Sequence, residues 1–305
     1  MNNMAFSNSK DFSLEISDYI EEAYERLGVV PRTGYDLDSA KRSLNLLFAD
    51  WANRGLNRWT IEQKTLSLAT GITNYPVGTL VATVAASTSF SVAELVTGSV
   101  SAATANITSK PSATQLALTL PTGTFSSGET LTGSTSGATT TLSAALIFED
   151  IEATIDVLSG VLRQNSGSSN QSDTTLNRIS RDQYLNLTSK LSTSQPTQFY
   201  VDRQIQPSIR FFSTPNSNDY EFVYDRLVRM DDADTYINGP QVPFRFYPCL
   251  TAGLAYYLSM KRNPQLTTIL KAVYEEELER AAAEDRDRAS LNLIPAKDFY
   301  GFISV

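Results

Sequence analysis

The sequence predicts an α+β protein. A helical bundle, made of an N-terminal helix hairpin and two C-terminal helices of which the last is long, accompanies a β-barrel-like sheet part with a small inserted all-β domain. Three observations predict this. Apolar residues recur at helical spacing near both ends, short alternating runs between turn residues fill the middle, and a repeat of 35 residues marks the insertion.

The first helix is expected in SLEISDYIEEAYERLG, capped by Ser13 and stopped by Gly28, with Ile16, Ile20, Ala23, Tyr24 and Leu27 on one face. A turn, VVPRTGYD, leads to a second helix capped by Asp36, with Leu37, Ala40, Leu44, Leu47, Phe48 and Trp51 apolar and Arg54-Gly55 at its end. So short a link predicts an antiparallel hairpin. WTIEQKTLSL, from Trp59 to Leu68, alternates as a strand, and Gly71 to Pro76 reads as a turn.

Composition then changes abruptly. Residues 79–148 hold 28 Ser or Thr but only three charged side chains, Glu94, Lys110 and Glu129. Within them FSVAELVTGSVSAATANITS, starting at Phe90, is echoed by FSSGETLTGSTSGATTTLSA, starting at Phe125. The copies cover about 90–109 and 125–144, and each predicts a hairpin bent at a Thr-Gly-Ser turn (Gly98 and Gly133). We expect residues 79–145 to form an inserted Ser/Thr-rich sandwich or barrel, with 1–78 and 146–305 as the core domain.

Past the insertion, Ile151, Ala153, Ile155 and Val157 alternate as a strand, and Ser180 with Gln183 forms a capping box for ISRDQYLNLTSK. TQFYVDRQ, SIRFFSTP and DYEFVYDRLVRM read as three strands. The chain closes with an apolar helix, FRFYPCLTAGLAYYLSMK, and a longer one opened by Asn263-Pro264. That last helix could reach Leu291, roughly 40 Å. From Glu275 to Arg288 it offers EEELERAAAEDRDR, in which Leu278 is the one large apolar residue, yet Leu291, Leu293, Ile294, Phe299, Tyr300 and Phe302 follow. A helix serving only its own core keeps a continuous apolar stripe, so the second half and tail read as a surface for another protein.

Composition narrows the chemistry. A hydrophobic fraction of 41% with 14 Phe and 14 Tyr suits a chain with a real core. The net charge of −8 argues against sequence-specific nucleic-acid binding, which needs a basic surface. No apolar run is long enough to span a membrane and the N-terminus lacks signal-peptide character, so an intracellular protein is expected. Histidine is absent, which removes imidazole bases and ligands. The single cysteine, Cys249, reads as a packing residue. Asp231, Asp232 and Asp234 lack the spacing of a calcium loop. Glu149, Asp150 and Glu152 imply no pocket, and Ser7 to Lys10 is an SxxK in the N-terminal segment. No catalytic, cofactor or metal site is expected. The aromatic cluster Phe244, Phe246, Tyr247, Tyr256 and Tyr257, beside Arg245 and Arg262, reads mainly as core.

Several blocks, in order, resemble the head-to-tail adaptor proteins of short-tailed bacteriophages: YIEEAYERLGVV with LNLLFADWANRGLNRW, NRISRDQYLNL with PTQFYVDRQIQPSIRFFSTP, and VPFRFYPCLTAGLAYYLSMKR with LKAVYEEELERAAAEDRDRASLNLIP. The resemblance covers about residues 13–78 and 146–297. It implies a non-enzymatic virion protein, assembled in the bacterial cytoplasm as a ring of twelve copies at the capsid–tail junction. Such a ring docks on the portal, extends the DNA channel without sequence-specific DNA binding, and receives the tail nozzle or tail fibre proteins. The portal-docking segment it implies is Glu284 to Asp298, with Arg286, Arg288, Leu291, Leu293 and Ile294 as contacts. A different class of function is a virion tail or surface module whose β insertion grips a glycan or a fibre. A two-carboxylate hydrolase would need a converging acid pair that no spacing suggests.

Overall fold

A computed structural model of the chain describes residues 12–30, 34–56, 58–149, 154–204 and 206–285. The architecture is α+β. Five α-helices are present among these residues: α1 (Ile16–Arg26), α2 (Gly34–Asn53), α3 (Arg181–Asn186), α4 (Tyr247–Arg262) and α5 (Thr267–Glu284). The chain divides into two compact units, one holding the helices before Leu56 and after Asp231, the other holding the strands between them. The sequence expectation cut the chain instead at the edges of the Ser/Thr-rich segment.

In the helical unit α1 starts later than expected. Glu15, not Ser13, is its N-cap and forms a capping box with Asp18. The backbone explains the shift: the carbonyls of Asn238 and Tyr236 accept from the Ile16 and Ser17 N–H groups, each at 3.0 Å, so the first turn is satisfied by a returning segment. Gly28, at φ 67°, follows the Leu27 cap as expected. Asp36 lies inside the first turn of α2 instead of capping it. α1 and α2 each pack more on α4 than on one another, so the expected hairpin is mediated by a third helix. The reason is α4 itself, in which Cys249 to Ala255 are all buried. A helix apolar all round becomes the centre of its bundle.

Gly253 makes that centre possible. A Cβ there would stand 2.8 Å from Leu47 Cδ2 and 2.9 Å from the Tyr274 ring. Gly253→Ala should therefore cost about 1–3 kcal/mol by overpacking. Urea denaturation of the variant measures this, and an unmoved midpoint would mean that α2 and α5 yield freely around α4.

The sheet unit contains two four-stranded sheets and a seven-stranded one. The first orders β1 (Ile61–Ser67) and β15 (Tyr220–Val228) beside β10 (Thr154–Gln164) and β11 (Ser172–Thr175), all antiparallel. The second orders β12 (Asn177–Arg178), β13 (Gln198–Asp202), β14 (Ser208–Phe212) and β2 (Asn74–Pro76). One core serves both: Phe199 and Phe211 from the second sheet meet Phe222 from the first, each at 5.1 Å between ring centroids. The expected Ser180–Gln183 capping box opens α3, which is shorter than its sequence signal suggests.

The Ser/Thr-rich segment supplies β3 (Thr79–Thr83), β4 (Leu95–Gly98), β5 (Thr104–Ser112), β6 (Gln115–Leu118), β7 (Thr130–Gly133), β8 (Thr139–Thr141) and β9 (Ile147–Glu149). Their order is β8-β7-β4-β5-β6-β3-β9. Just past β3 and β8, Val84 bridges Leu142, and Ser143 N–H donates to the Thr83 carbonyl at 2.8 Å, closing the sheet into a barrel. Leu80, Phe90, Val96, Ile107, Leu118, Phe125, Leu131 and Leu142 fill it.

The two repeats form hairpins β4–β5 and β7–β8, joined antiparallel through β4 and β7. Their glutamates cross over. Glu94 accepts from Thr135 N–H (3.2 Å), Ser136 N–H and Ser136 Oγ (2.9 Å each) of the other repeat, and from Ser91 N–H at 2.6 Å in its own. Glu129 mirrors it, accepting from Val100 and Ser101 N–H at 3.0 Å and from Ser126 N–H at 2.6 Å. Both carboxylates are only 4% exposed. The repeated glycines exist for them. A Cβ on Gly98 would lie 2.5 Å from the Glu129 carboxylate, and one on Gly133 2.6 Å from that of Glu94. As expected, the chain bends at this motif: the turns start at Ser99 and Ser134 and are completed by Ala102 (φ 53°) and Gly137 (φ 66°). The Thr-Gly-Ser signal thus marks both the bend and a close approach.

Candidate interaction surfaces

The five side chains expected to touch a portal, Arg286, Arg288, Leu291, Leu293 and Ile294, lie outside the described residues. What leads to them is defined. α5 ends at Glu284, where the Asp285 cap N–H donates to the Ala281 carbonyl at 3.0 Å. Its eighteen residues span about 27 Å, and the expected reach to Leu291 lies outside the described residues. Its inward stripe also extends past Leu278: Tyr274, Leu278 and Ala281 are buried, so an alanine completes the face that seemed lost. Glu275 is bound within its own unit by a two-pronged contact from Arg54, at 3.1 and 3.3 Å. Arg245 pairs with Asp285, and Arg280 with Glu276 one turn before it. The outward face carries Ile269 and Val273, 62% and 39% exposed, one turn apart on the half of the helix assigned to the internal core.

Of the aromatic cluster, Phe246 is fully buried against Trp51, with ring centroids 5.6 Å apart. Tyr256 stacks on Tyr274 at 5.9 Å. Phe244 is the exception, exposed and edge-on to the equally exposed Phe12.

A groove of about 440 Å³ runs between α1 and the first turns of α4. Phe12, Leu14, Tyr247 and Pro248 line its apolar part, and Asp18, Glu21, Glu22 and Glu25 its charged part, against the single cation Arg26. Arg26 is engaged by Glu22 at 3.0 Å. The apolar stripe of α1 faces its core, so these carboxylates occupy the solvent side by the same helical periodicity.

The last turn of α4 and the start of α2 make a surface of the opposite sign. Tyr35 is 67% exposed, and the Arg42 and Arg262 guanidiniums each stand 5.9 Å from the centre of its ring. Lys261 lies beside them and donates to Ser43 Oγ at 2.7 Å. Partial burial, followed by the neighbouring Arg42 and Arg262, holds its ammonium below the usual lysine range. Asp36, paired with Arg262, and Asp38, which stands between Tyr35 and Arg42 on α2 and accepts from Tyr236 Oη at 2.8 Å, are carboxylates on the same surface. Sequence reading treated Tyr35 as part of a turn. Its signal lies in Arg42, seven residues on and so on the same side of α2.

Among the described residues, no group of three or more His, Cys, Asp or Glu is placed to hold a metal ion. Cys249 is buried, and burial, with Glu277 adding to it, pushes its thiol up to about 12, which leaves it protonated and inert. Asp231, Asp232 and Asp234 belong to a loop held by backbone contacts, with Ala233 N–H on Asn45 Oδ1 and the Asp234 carbonyl on Lys41. Asp150 and Glu152 lie outside the described residues, as does the Ser7–Lys10 motif. A cleft of about 520 Å³ in the sheet unit is lined by Thr65, Ser67, Thr108, Ser109, Lys110 and Gln115 among others, with no aromatic ring. Phe90 and Phe125 are buried in the barrel instead. No described helix is long and apolar enough to cross a membrane. No protein-family model matches the chain, and no curated protein matches it.

Proposed function

We propose that this chain is the repeating subunit of a head-to-tail adaptor ring, a non-enzymatic virion protein at the capsid–tail junction of a short-tailed bacteriophage. The ring, expected to hold twelve copies, would dock on a portal through residues beyond α5, continue the DNA channel and receive the tail nozzle or tail fibres. The observation that carries this reading is the outward face of α5. Ile269 and Val273 are exposed in line on a helix whose opposite side is firmly packed, and that helix leads directly into the apolar tail. Large apolar side chains aligned on a solvent face mark a contact between proteins. A weak contact of this kind becomes strong when a closed ring repeats it. An acidic chain also suits a conduit, since carboxylates repel the phosphates of DNA in transit.

The reading is tested by the mass of the full chain alone and mixed with its portal, with and without residues Leu291 to Val305. The intact chain is expected to bind the portal ring, and the truncated chain to lose at least about tenfold in affinity. Binding that survives truncation unchanged would remove the tail from the docking role. A chain that never joins the portal would end the adaptor reading. The glycan-binding alternative is less favoured because Phe90 and Phe125 are buried inside the barrel, where they cannot stack on a sugar.

A further inference from the structure

We propose that the basic face around Tyr35 docks into the acidic groove beside α1 of a second copy of this chain, joining copies head to tail. The proposal rests on the adaptor-ring reading and assigns that ring a specific subunit contact. Both faces belong to the helical unit and carry opposite charge. The groove sets Asp18, Glu21, Glu22 and Glu25 against Arg26, whereas the other face sets Arg42, Lys261 and Arg262 against Asp36 and Asp38. Their shapes are complementary as well. One presents an exposed tyrosine flanked by two guanidiniums, and the other an open groove of about 440 Å³ with Phe12 and Pro248 in its wall. Tyrosine and arginine are the side chains that most often anchor protein interfaces.

The apolar wall of the groove, Tyr247 and Pro248, stands on the first turn of α4, whereas Lys261 and Arg262 stand on its last, about 20 Å along the helix, and Tyr35 is exposed and does not fill that wall in its own chain. Because the faces differ, each copy keeps one free after pairing, and the contact repeats until the rotation closes a ring. Opposed charges would set the register and speed the encounter, and so make assembly sensitive to salt.

Sedimentation velocity of the full chain at low salt tests this with two surface variants, Tyr35→Ala/Arg42→Glu and Glu21→Lys/Glu22→Lys. The wild-type chain should associate, less so as salt is raised. Each variant alone, with wild-type circular dichroism, should associate about tenfold more weakly or worse. A mixture of the two should associate more strongly than either variant alone, since each supplies one intact face. Arg42→Glu and Glu22→Lys combined in one chain should restore association by exchanging the charges. Association unaffected by either variant, a mixture no better than its components, or a wild-type chain that stays monomeric at its solubility limit would overturn the proposal. Rings that form regardless of both variants sink this contact but leave the adaptor reading standing. Rings that assemble through it yet never bind a portal do the reverse.

Discussion

Glu129→Ala is expected to destabilise the sheet unit by about 3 kcal/mol or more, and Glu94→Ala by a similar amount. Each substitution removes the acceptor for three backbone N–H groups and a serine hydroxyl within a nearly closed site. A hydrogen bond to a charged group contributes roughly 1.5–3 kcal/mol, and buried donors left unmatched cost further. The two losses should not simply add, because either one loosens the same joint between repeats. Chemical denaturation of the single and double variants measures this. A loss under about 1 kcal/mol for both singles would mean that water replaces the carboxylate without penalty.

The same site makes a pH prediction. Burial alone would raise these carboxyls, but the hydrogen bonds from Ser136, Ser91 and Thr135 to Glu94, and from Ser101, Val100 and Ser126 to Glu129, outweigh it and hold both below the ordinary glutamate value. A group depressed in the folded state contributes its stability above its unfolded value and loses it as pH falls through the folded one. The barrel should therefore be insensitive to pH near neutrality and weaken below about pH 4. Glu94→Gln/Glu129→Gln should flatten that acid limb. An unchanged acid slope in the double variant would place the sensitivity elsewhere.

Trp51→Ala should cost the helical unit about 3–5 kcal/mol, the range for deleting a large buried ring. Trp51 is fully buried on α2, packs on Phe246 at 5.6 Å and donates from Nε1 to Tyr274 Oη at 2.9 Å. It thereby ties α2 to the segment before α4 and to α5 at once. Trp51→Phe separates the contributions. It keeps most of the apolar area but removes the donor to Tyr274, and should cost about 1–2 kcal/mol. Tyr274 retains a longer hydrogen bond to Asp50 Oδ2 at 3.4 Å, which limits the loss. Thermal unfolding followed by circular dichroism gives both numbers. Equal losses for the two variants would assign the whole effect to the hydrogen bond.

Much of the fold was legible because it rests on local periodicity. Ile16, Ile20, Ala23 and Tyr24 are buried where their spacing placed them, and TQFYVDRQ, SIRFFSTP and DYEFVYDRLVRM are strands. The capping box at Ser180 was legible because its two members lie within one turn. Ser13 failed as a cap because the carbonyls that complete the first turn of α1 arrive from Tyr236 and Asn238, more than two hundred residues away. The inward face of α5 extends beyond its large apolar residues for a related reason. Alanine carries little weight in a periodicity, but Ala281 suffices where the neighbouring helix comes close. The acidic side of α1 could be read directly, whereas Tyr35 acquires meaning only when α4 brings Arg262 to its ring.

The sequence by itself determined the α+β class, the placement of helices and strands, the duplicated hairpin and the absence of histidine chemistry, since each depends on residues close in the chain or on composition. Only the tertiary structure decided that Glu94 and Glu129 cross between the repeats, that Gly98 and Gly133 serve those carboxylates, and that α4 stands between the helices of the expected hairpin. It alone gathered the acidic groove and the basic face at opposite ends of α4. The physical reason is range. Backbone preferences and side-chain periodicity act over a few residues, whereas burial, charge and close approach depend on which distant segments the packed core brings together.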